Sequence, residues 1–395
     1  MRVNRLQLFD YRNFHRLDIE IPSRTALFIG ANARGKTNLL EAVYLLATMR
    51  GLRAETDAQL IRKEVMEDPL PAARIVADAE TLEGRLKVEV AVVARPGARG
   101  PIATKTAKIN GAPKRLADAV GRLTAVLFSA DDLLMIEGSP SLRRRYVDLT
   151  LTQVDRQYAA ARSRYERLIT QRNSLLKRIR EGEAHAEELT FWDEELAKDG
   201  GVLMQRRAAA LAEIGPPAAA HHRTLAADEA LEAIYEPRVG SRPADGAPLE
   251  EFTTSLAQAL QQGLSRDIAA GMTLQGPHRD DVRIELNGFP AAGYASRAQQ
   301  RTIALSLRLA EAELLARHRG EAPVLLLDDV MSEMDAARRA AVLASIGNAD
   351  QLLITGTDWD RFAPHFSAEA AAFTVDSGRV EPATGQPAGA RTADS

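Results

Sequence analysis

Gly30-Ala31-Asn32-Ala33-Arg34-Gly35-Lys36-Thr37 matches the pattern G-x-x-x-x-G-K-[ST] at every defined position, and its surroundings decide the fold class. Before it stands Thr25-Ala26-Leu27-Phe28-Ile29, a short apolar run of the kind that forms a buried strand. After it Leu39, Leu40, Val43, Leu46 and Ala47 recur at helical spacing. Strand, glycine loop and helix in that order aim backbone N–H groups and a helix N-terminus at a bound phosphate. Gly30, Ala31, Asn32, Ala33, Arg34 and Gly35 then form the cradle, Lys36 reaches the β- and γ-phosphates of ATP, and the Thr37 hydroxyl ligates Mg²⁺. An incidental glycine turn would lack that context.

Such a loop needs a second, carboxylate-bearing strand, and Val324-Leu325-Leu326-Leu327-Asp328-Asp329 supplies an apolar run ending in two acids. Asp328 is expected to hold Mg²⁺ through water, and Asp329 to orient or deprotonate the attacking water as the catalytic residue. Standing alone, two acids after a strand serve equally well as a helix cap or a turn. Lys36 and Asp328 are separated by 291 intervening residues, so the expected α/β head is assembled from N- and C-terminal segments around a large insertion.

Val3 to Leu8 alternates with strand period, and segment 72–128 returns to strands, with a hairpin signalled by Asn110-Gly111 and flanked by Lys105, Lys108, Lys114 and Arg115. From about 140 to 265 the chain reads as helical, interrupted at Gly215-Pro216-Pro217 and between Pro237 and Pro248. A second Asn-Gly turn at Asn287-Gly288 and a helix from about Arg297 to Arg317 lead back to α/β character. The expected division is an N-terminal part of the head over 1–135, a mainly helical arm over 136–265, a C-terminal part of the head over 266–380, and a disordered tail over 381–395 rich in Ala, Gly, Pro and Thr.

With 395 residues, 45% hydrophobic and 27% charged, the composition is that of a globular protein. No apolar run approaches the roughly 18 residues of a membrane span, and the opening residues lead into strand pattern instead of a signal peptide. The expectation is a cytoplasmic protein with no membrane partner. Zero cysteines exclude disulfides, thiolate chemistry and Cys-based zinc sites. The adjacent His221 and His222 lack metal-spaced partners and read as structural or solvent-facing. The 51 Lys and Arg nearly balance the 54 Asp and Glu, yet residues 141–180 hold eleven Lys/Arg, including Arg143, Arg144 and Arg145, against three acids, a net +8. That excess suits either a solvated helix face or a surface for a polyanion. The arginine triplet also suits a structural junction.

Further blocks carry a family resemblance. Leu6-Gln7-Leu8-Phe9-Asp10-Tyr11-Arg12-Asn13-Phe14, Val126 to Leu133 followed by Gly138 to Arg145, Gln171-Arg172-Asn173-Ser174-Leu175-Leu176-Lys177, and Gly276-Pro277-His278-Arg279-Asp280-Asp281 resemble motifs of the RecF family, the bacterial DNA repair ATPases related to SMC and ABC heads. Transport ATPases lack these blocks. Ser296-Arg297-Ala298-Gln299-Gln300-Arg301 resembles the family's signature helix start, in which the resemblance implies that Ser296 caps the γ-phosphate of ATP held by a second subunit; an ordinary N-cap is the other reading. The family usually has glycine where this chain has Ala298. If that position needs a positive φ or very close backbone approach to the phosphate, alanine weakens the capping. Ser332-Glu333-Met334-Asp335 resembles the D-loop, and Leu352 to Thr357 the switch strand, with Thr355 where many ABC proteins have histidine. His278 suits packing as well as ligand contact.

The resemblance implies an ATP-dependent DNA-binding protein of recombinational repair, replication and the DNA-damage (SOS) response. It implies an ATP-driven homodimer, weak ATPase activity used as a switch, binding of single-stranded, gapped or junction DNA, and cooperation with RecR and RecO in loading RecA. The alternative is the ATPase subunit of an ABC transporter, against which stand the large insertion, the arginine-rich arm and the missing glycine-rich transporter signature. A fragment of a long SMC coiled coil would need sustained heptads, which the arm lacks.

Overall fold

The computed structural model describes residues 1–97, 100–240, 244, 246–330, 336–346, 349–358 and 370–383. The D-loop stretch 332–335 and most of the expected tail lie outside the described residues. In chain order the elements are β1 (Arg2–Tyr11), β2 (Phe14–Glu20), β3 (Thr25–Ile29), α1 (Lys36–Thr48), β4 (Ala72–Thr81), β5 (Gly84–Arg95), β6 (Ile102–Ile109), β7 (Ala112–Lys114), α2 (Leu116–Ala119) and β8 (Ala125–Phe128). There follow α3 (Leu133–Glu137), α4 (Pro140–Val154), α5 (Arg156–Arg180), α6 (Thr190–Leu225), β9 (Leu231–Glu236), α7 (Leu249–Ala270), β10 (Asp281–Leu286), β11 (Phe289–Pro290), α8 (Ala291–Tyr294) and α9 (Arg297–Arg319). The chain continues through β12 (Val324–Asp328), α10 (Ala336–Ile346), β13 (Leu352–Gly356), β14 (Ala371–Asp376) and β15 (Arg379–Pro382).

Contacts divide the chain into two compact units, one of Met1–Ala130 with Leu315–Ser395, the other of Asp131–Leu314. The first is the α/β unit built from both ends of the chain. Its main sheet runs β15-β14-β3-β13-β12-β8, with β14, β3, β13, β12 and β8 parallel and β15 antiparallel. Strands β3, β12 and β13 are buried on both faces, which explains why they read as unbroken apolar runs with no alternation. A second, antiparallel sheet runs β2-β1-β4-β5-β6-β7. Its last hairpin closes on Asn110 at φ 50° and Gly111 at φ 81°, the left-handed pair that a two-residue turn requires.

The second unit extends beyond the expected arm of 136–265, for it takes in β10, β11, α8 and most of α9. Helices α4 to α7 dominate it, beside the three-stranded sheet β11-β10-β9. Leu175, Leu176, Ala184 and Leu189 form one core cluster, with Trp192, Leu264 and Ile268 packed on it. The expected break at Gly215-Pro216-Pro217 is absent: α6 runs 36 residues with both prolines inside. Two adjacent prolines delete only two N–H donors. The helix also buries Leu203, Leu211 and Ile214, so packing carries it through where local propensity alone would stop it.

Candidate functional site

The loop between β3 and α1 is built by sterics as much as by sequence. A Cβ on Gly30 would lie 2.1 Å from the Val375 carbonyl oxygen of the neighbouring strand, so only glycine lets β14 and the loop approach this closely. Gly30 N–H donates to the Gly356 carbonyl at 3.2 Å, which ties the loop to the end of β13. Ala33 at φ 63° and Gly35 at φ 105° turn the backbone through left-handed conformations before the helix begins. Gly35 also has no room for a side chain, because Asn13 lies where its Cβ would be. Asn13, in the turn between β1 and β2, donates from Nδ2 to the Arg34 carbonyl at 3.3 Å and accepts from Asn38 Nδ2 at 2.7 Å. Arg34 reaches Ser377 Oγ at 2.7 Å and Asp376 at 3.3 Å. Only its context in the opening block hinted at Asn13, and nothing in the sequence assigned it to the loop.

Lys36 is 6% exposed, and its ammonium donates to the carbonyls of Gly30 at 2.6 Å and Ala31 at 3.0 Å. Burial lowers its pKa, while Asp329 and Asp328 hold the positive form. The second half of the site arrives from β12: Thr37 Oγ1 donates to Asp328 Oδ1 at 2.9 Å across 291 positions of sequence. Between β3 and β12 runs β13, and it delivers the residue whose role the sequence left open. Thr355 is fully buried; its hydroxyl lies 2.9 Å from Asp328 Oδ1 and accepts the Asp329 N–H at 3.0 Å. Burial raises the Asp328 pKa, against which Thr37, Thr355 and Arg53 favour the carboxylate. Arg53 stands 3.9 Å from Asp328 and 3.6 Å from the buried Glu41, which Arg12 also approaches at 3.5 Å. Asp329 has a φ of 53°, a left-handed conformation that a non-glycine residue adopts at a cost, here held by the Thr355 bond.

The donor chemistry fits a magnesium nucleotide. One hydroxyl and one carboxylate are hard oxygen ligands, and Mg²⁺ characteristically takes few protein ligands and completes its shell with phosphates and water.

In the second unit, Ser296 starts α9 as an N-cap: its Oγ accepts the Gln299 N–H at 3.3 Å, and its own N–H donates to Gln299 Oε1 at 2.8 Å. Ala298 has no positive φ and lies within α9, so alanine costs nothing in backbone conformation there. His278 is half-buried, with Nδ1 2.8 Å from the Tyr165 hydroxyl and Nε2 3.1 Å from the Thr273 carbonyl, and desolvation lowers its pKa to about 4. It is a neutral packing residue. His221 and His222 pair with Glu313 and Glu229 at 2.7 and 2.9 Å.

The arginine-rich stretch is largely consumed inside this unit. Arg143 makes a two-pronged pair with Asp281 at 2.8 and 2.9 Å, and Arg144 donates to the Asp280 carbonyl, so two members of the triplet are structural. Arg164 grips Asp199 at 2.6 Å, and the fully buried Arg172 pairs with Asp193 and Asp267 at 2.6 Å each. In the other unit Lys105 is spent on Asp57 at 2.6 Å and Lys108 stands 3.5 Å from Glu89. Within residues 141–180 and the Asn110-Gly111 hairpin, the exposed cations with no carboxylate partner among the described residues are Lys114, Arg115, Arg156, Arg167, Lys177 and Arg178.

Comparison with known proteins agrees with this architecture. A family model described as the RecF/RecN/SMC N terminal domain matches residues 2–367. A DNA replication and repair protein RecF from Chloroflexus aurantiacus is 41% identical over 393 residues, covering 96% of this chain and 99% of that protein. Another from Herpetosiphon aurantiacus is 41% identical over 395 residues, covering 97% and 100%. The solved structure of a recombination mediator protein RecF with ATP in the RecFOR pathway superposes with a TM-score of 0.84 at 30% identity, covering 97% of this chain and 98% of that one. No helix among the described residues is long and apolar enough to cross a membrane. With a family match over most of its length and near-complete coverage of such relatives, the chain belongs to the RecF family of DNA replication and repair proteins, with the fold of an SMC-like ATPase head.

Proposed function

We propose that this chain is an ATP switch for DNA binding in recombinational repair and replication. The observation that carries the reading is the meeting of Lys36, Thr37 and Asp328: a buried ammonium in the loop, and a hydroxyl 2.9 Å from a carboxylate that arrives from the far end of the sequence. When bound, ATP would supply the phosphate oxygens and Mg²⁺ positive charge against them. Gly30 to Gly35 surround the phosphates, Lys36 exchanges its loop carbonyls for phosphate oxygens, and Thr37 and Asp328 hold the metal. Asp329, fixed through Thr355, positions the attacking water for slow hydrolysis.

Ser296 at the start of α9 caps the γ-phosphate of a second copy, so ATP favours an isologous homodimer and hydrolysis releases it. The dimer presents lysines and arginines to the phosphates of gapped or junction DNA, and acts with RecR and RecO towards RecA loading. Support comes from a related RecF solved with ATP and from curated relatives described as DNA replication and repair proteins. Sedimentation with and without ATP, and with and without gapped duplex, tests the reading. The expected result is an ATP-dependent dimer that binds DNA in wild type but not in Lys36→Ala. A wild type that neither binds ATP nor changes its association overturns it.

A further inference from the structure

Glu229 lies half-buried in the turn after α6, and its backbone is held there. Its own N–H donates to the Ala226 carbonyl at 3.2 Å, and the next residue, Ala230, makes two hydrogen bonds of 2.8 Å with Asn287. The carboxylate reaches two ways. Oε2 lies 2.9 Å from Nε2 of the fully buried His222 in the last turn of α6, and Oε1 accepts from Nε2 of Gln299 at 2.8 Å. Gln299 is in turn the partner of Ser296: its Oε1 accepts the Ser296 N–H at 2.8 Å, and its own N–H donates to Ser296 Oγ at 3.3 Å. His222, Glu229, Gln299 and Ser296 thus form one hydrogen-bonded chain inside the second unit, from the end of α6 to the start of α9.

A capping box explains the reciprocal bonds of Ser296 and Gln299 but has no need of a third member. Glu229 adds direction. A side-chain amide can present either end, and a carboxylate, which only accepts, takes the NH₂ end. That leaves the Gln299 carbonyl oxygen for the Ser296 N–H. Ser296 Oγ accepts from Gln299, so its own O–H remains to donate to a phosphate oxygen. From this we propose that Glu229 is a positioning residue for the phosphate cap: it locks the Gln299 amide, and through it Ser296, in the orientation that meets the γ-phosphate held by a second copy. The inference rests on the dimer reading above and deepens it by naming the group that orients the cap. Ser296 itself is exposed at a helix terminus, where ends fray. An anion gains from such a terminus only while its donors stay aimed, and ordering them beforehand removes that cost from the moment of contact. The frame for this ordering is the packed helix α6, because His222 is wholly inside.

The test follows the full-length protein by sedimentation with ATP and Mg²⁺, and by hydrogen–deuterium exchange of segment 295–300 without nucleotide. Glu229→Ala is expected to speed exchange at Ser296 and to weaken the ATP-dependent dimer, each about tenfold, with the monomer's ATP affinity unchanged. Glu229→Gln, whose carbonyl still accepts from Gln299, is expected to match wild type. Gln299→Glu keeps the capping box and the His222–Glu229 pair but sets carboxylate against carboxylate, so it too is expected to weaken the dimer. Combining it with Glu229→Gln, which restores a donor to an acceptor, is expected to recover the dimer. If wild type dimerises and Glu229→Ala dimerises equally well, or if its exchange at 295–300 is unchanged, the positioning role is refuted and the dimer reading stands. An exchanged pair that dimerises no better than Gln299→Glu also refutes it. Failure of wild type itself to dimerise with ATP overturns both.

Discussion

Thr355→Val is the sharpest perturbation the site offers, because it keeps the volume of a fully buried side chain and removes only its hydroxyl. That hydroxyl serves two groups at once, donating to Asp328 Oδ1 at 2.9 Å and accepting the Asp329 N–H at 3.0 Å. A hydrogen bond to a charged group contributes about 1.5–3 kcal/mol, and an orphaned buried N–H costs about 1–3 kcal/mol. Asp328 keeps the Thr37 bond at 2.9 Å, so part of its stabilisation survives. The expected destabilisation is therefore about 2–4 kcal/mol at neutral pH.

The pH dependence follows from the sign. Burial raises the Asp328 pKa in the folded state. A carboxyl with a raised folded pKa contributes stability below its unfolded pKa, and loses that contribution as pH rises through the folded value. Removing a donor to the carboxylate raises that pKa further, by about one unit for each 1.4 kcal/mol lost. Two outcomes are expected. The deficit of the variant shrinks towards acid pH, and the acid limb of Mg²⁺-dependent ATP affinity moves up by about one pH unit. Thr355→Ser, which keeps the hydroxyl, is expected to restore the wild-type limb. Fluorescence titration of a labelled nucleotide at a series of pH values, with Mg²⁺ and with chelator, measures it. Identical acid limbs in wild type, Val and Ser variants would refute the coupling of Thr355 to the metal-holding carboxylate.

Lys36→Ala is expected to abolish ATP binding measured calorimetrically, and unchanged affinity would remove the phosphate-loop assignment. Asp329→Asn should bind ATP and dimerise yet turn over roughly a hundredfold or more slowly; normal turnover per bound nucleotide would show that another group handles the water. Arg172→Ala leaves Asp267 buried without its 2.6 Å partner, so the second unit should lose about 3–5 kcal/mol in denaturant unfolding, and a loss below 1 kcal/mol would contradict the burial argument. Replacing Lys177 and Arg178 by Gln should lower the slope of log affinity for duplex DNA against log salt by about 0.9 per contact, whereas an unchanged slope places the DNA surface elsewhere.

Much of the fold was legible because its signals are local. Asn110-Gly111 and Asn287-Gly288 announce their hairpins since few other pairs adopt two consecutive positive φ values, and both turns are present. The strand ending in Asp328 was legible because a strand buried on both faces has no polar positions to interrupt it. The double proline misled for the opposite reason: its penalty is local, and the packing that overrides it comes from residues distant in sequence. The site divides the same way. Lys36 and Thr37 are adjacent and fit a pattern, but Asn13 and Thr355 act on backbone and side-chain atoms of other segments, and no spacing rule connects residue 13 to Gly35 or residue 355 to Asp328 and the amide of Asp329.

Charge is where local reading fails most. The +8 of residues 141–180 is a property of the chain, whereas a polyanion meets the field of the folded surface. Folding brings Asp193, Asp199, Asp267 and Asp281, all outside that stretch, against three of its arginines, Arg143, Arg164 and Arg172. These pairs neutralise the three cations and convert them into support for the second unit, with Arg172 wholly inside. A buried arginine must satisfy a fork of donors, and here Nε and Nη1 find carboxylates and the Thr273 hydroxyl on other segments, while Nη2 has no partner among the described residues. Of that stretch, the exposed cations that folding leaves without a carboxylate partner among the described residues are Arg156, Arg167, Lys177 and Arg178, and these are the ones a polyanion could meet. For that reason a salt-slope measurement on Lys177 and Arg178 discriminates where one on Arg143 cannot: neutralising Arg143 would free Asp281 and damage the fold before it could report on DNA.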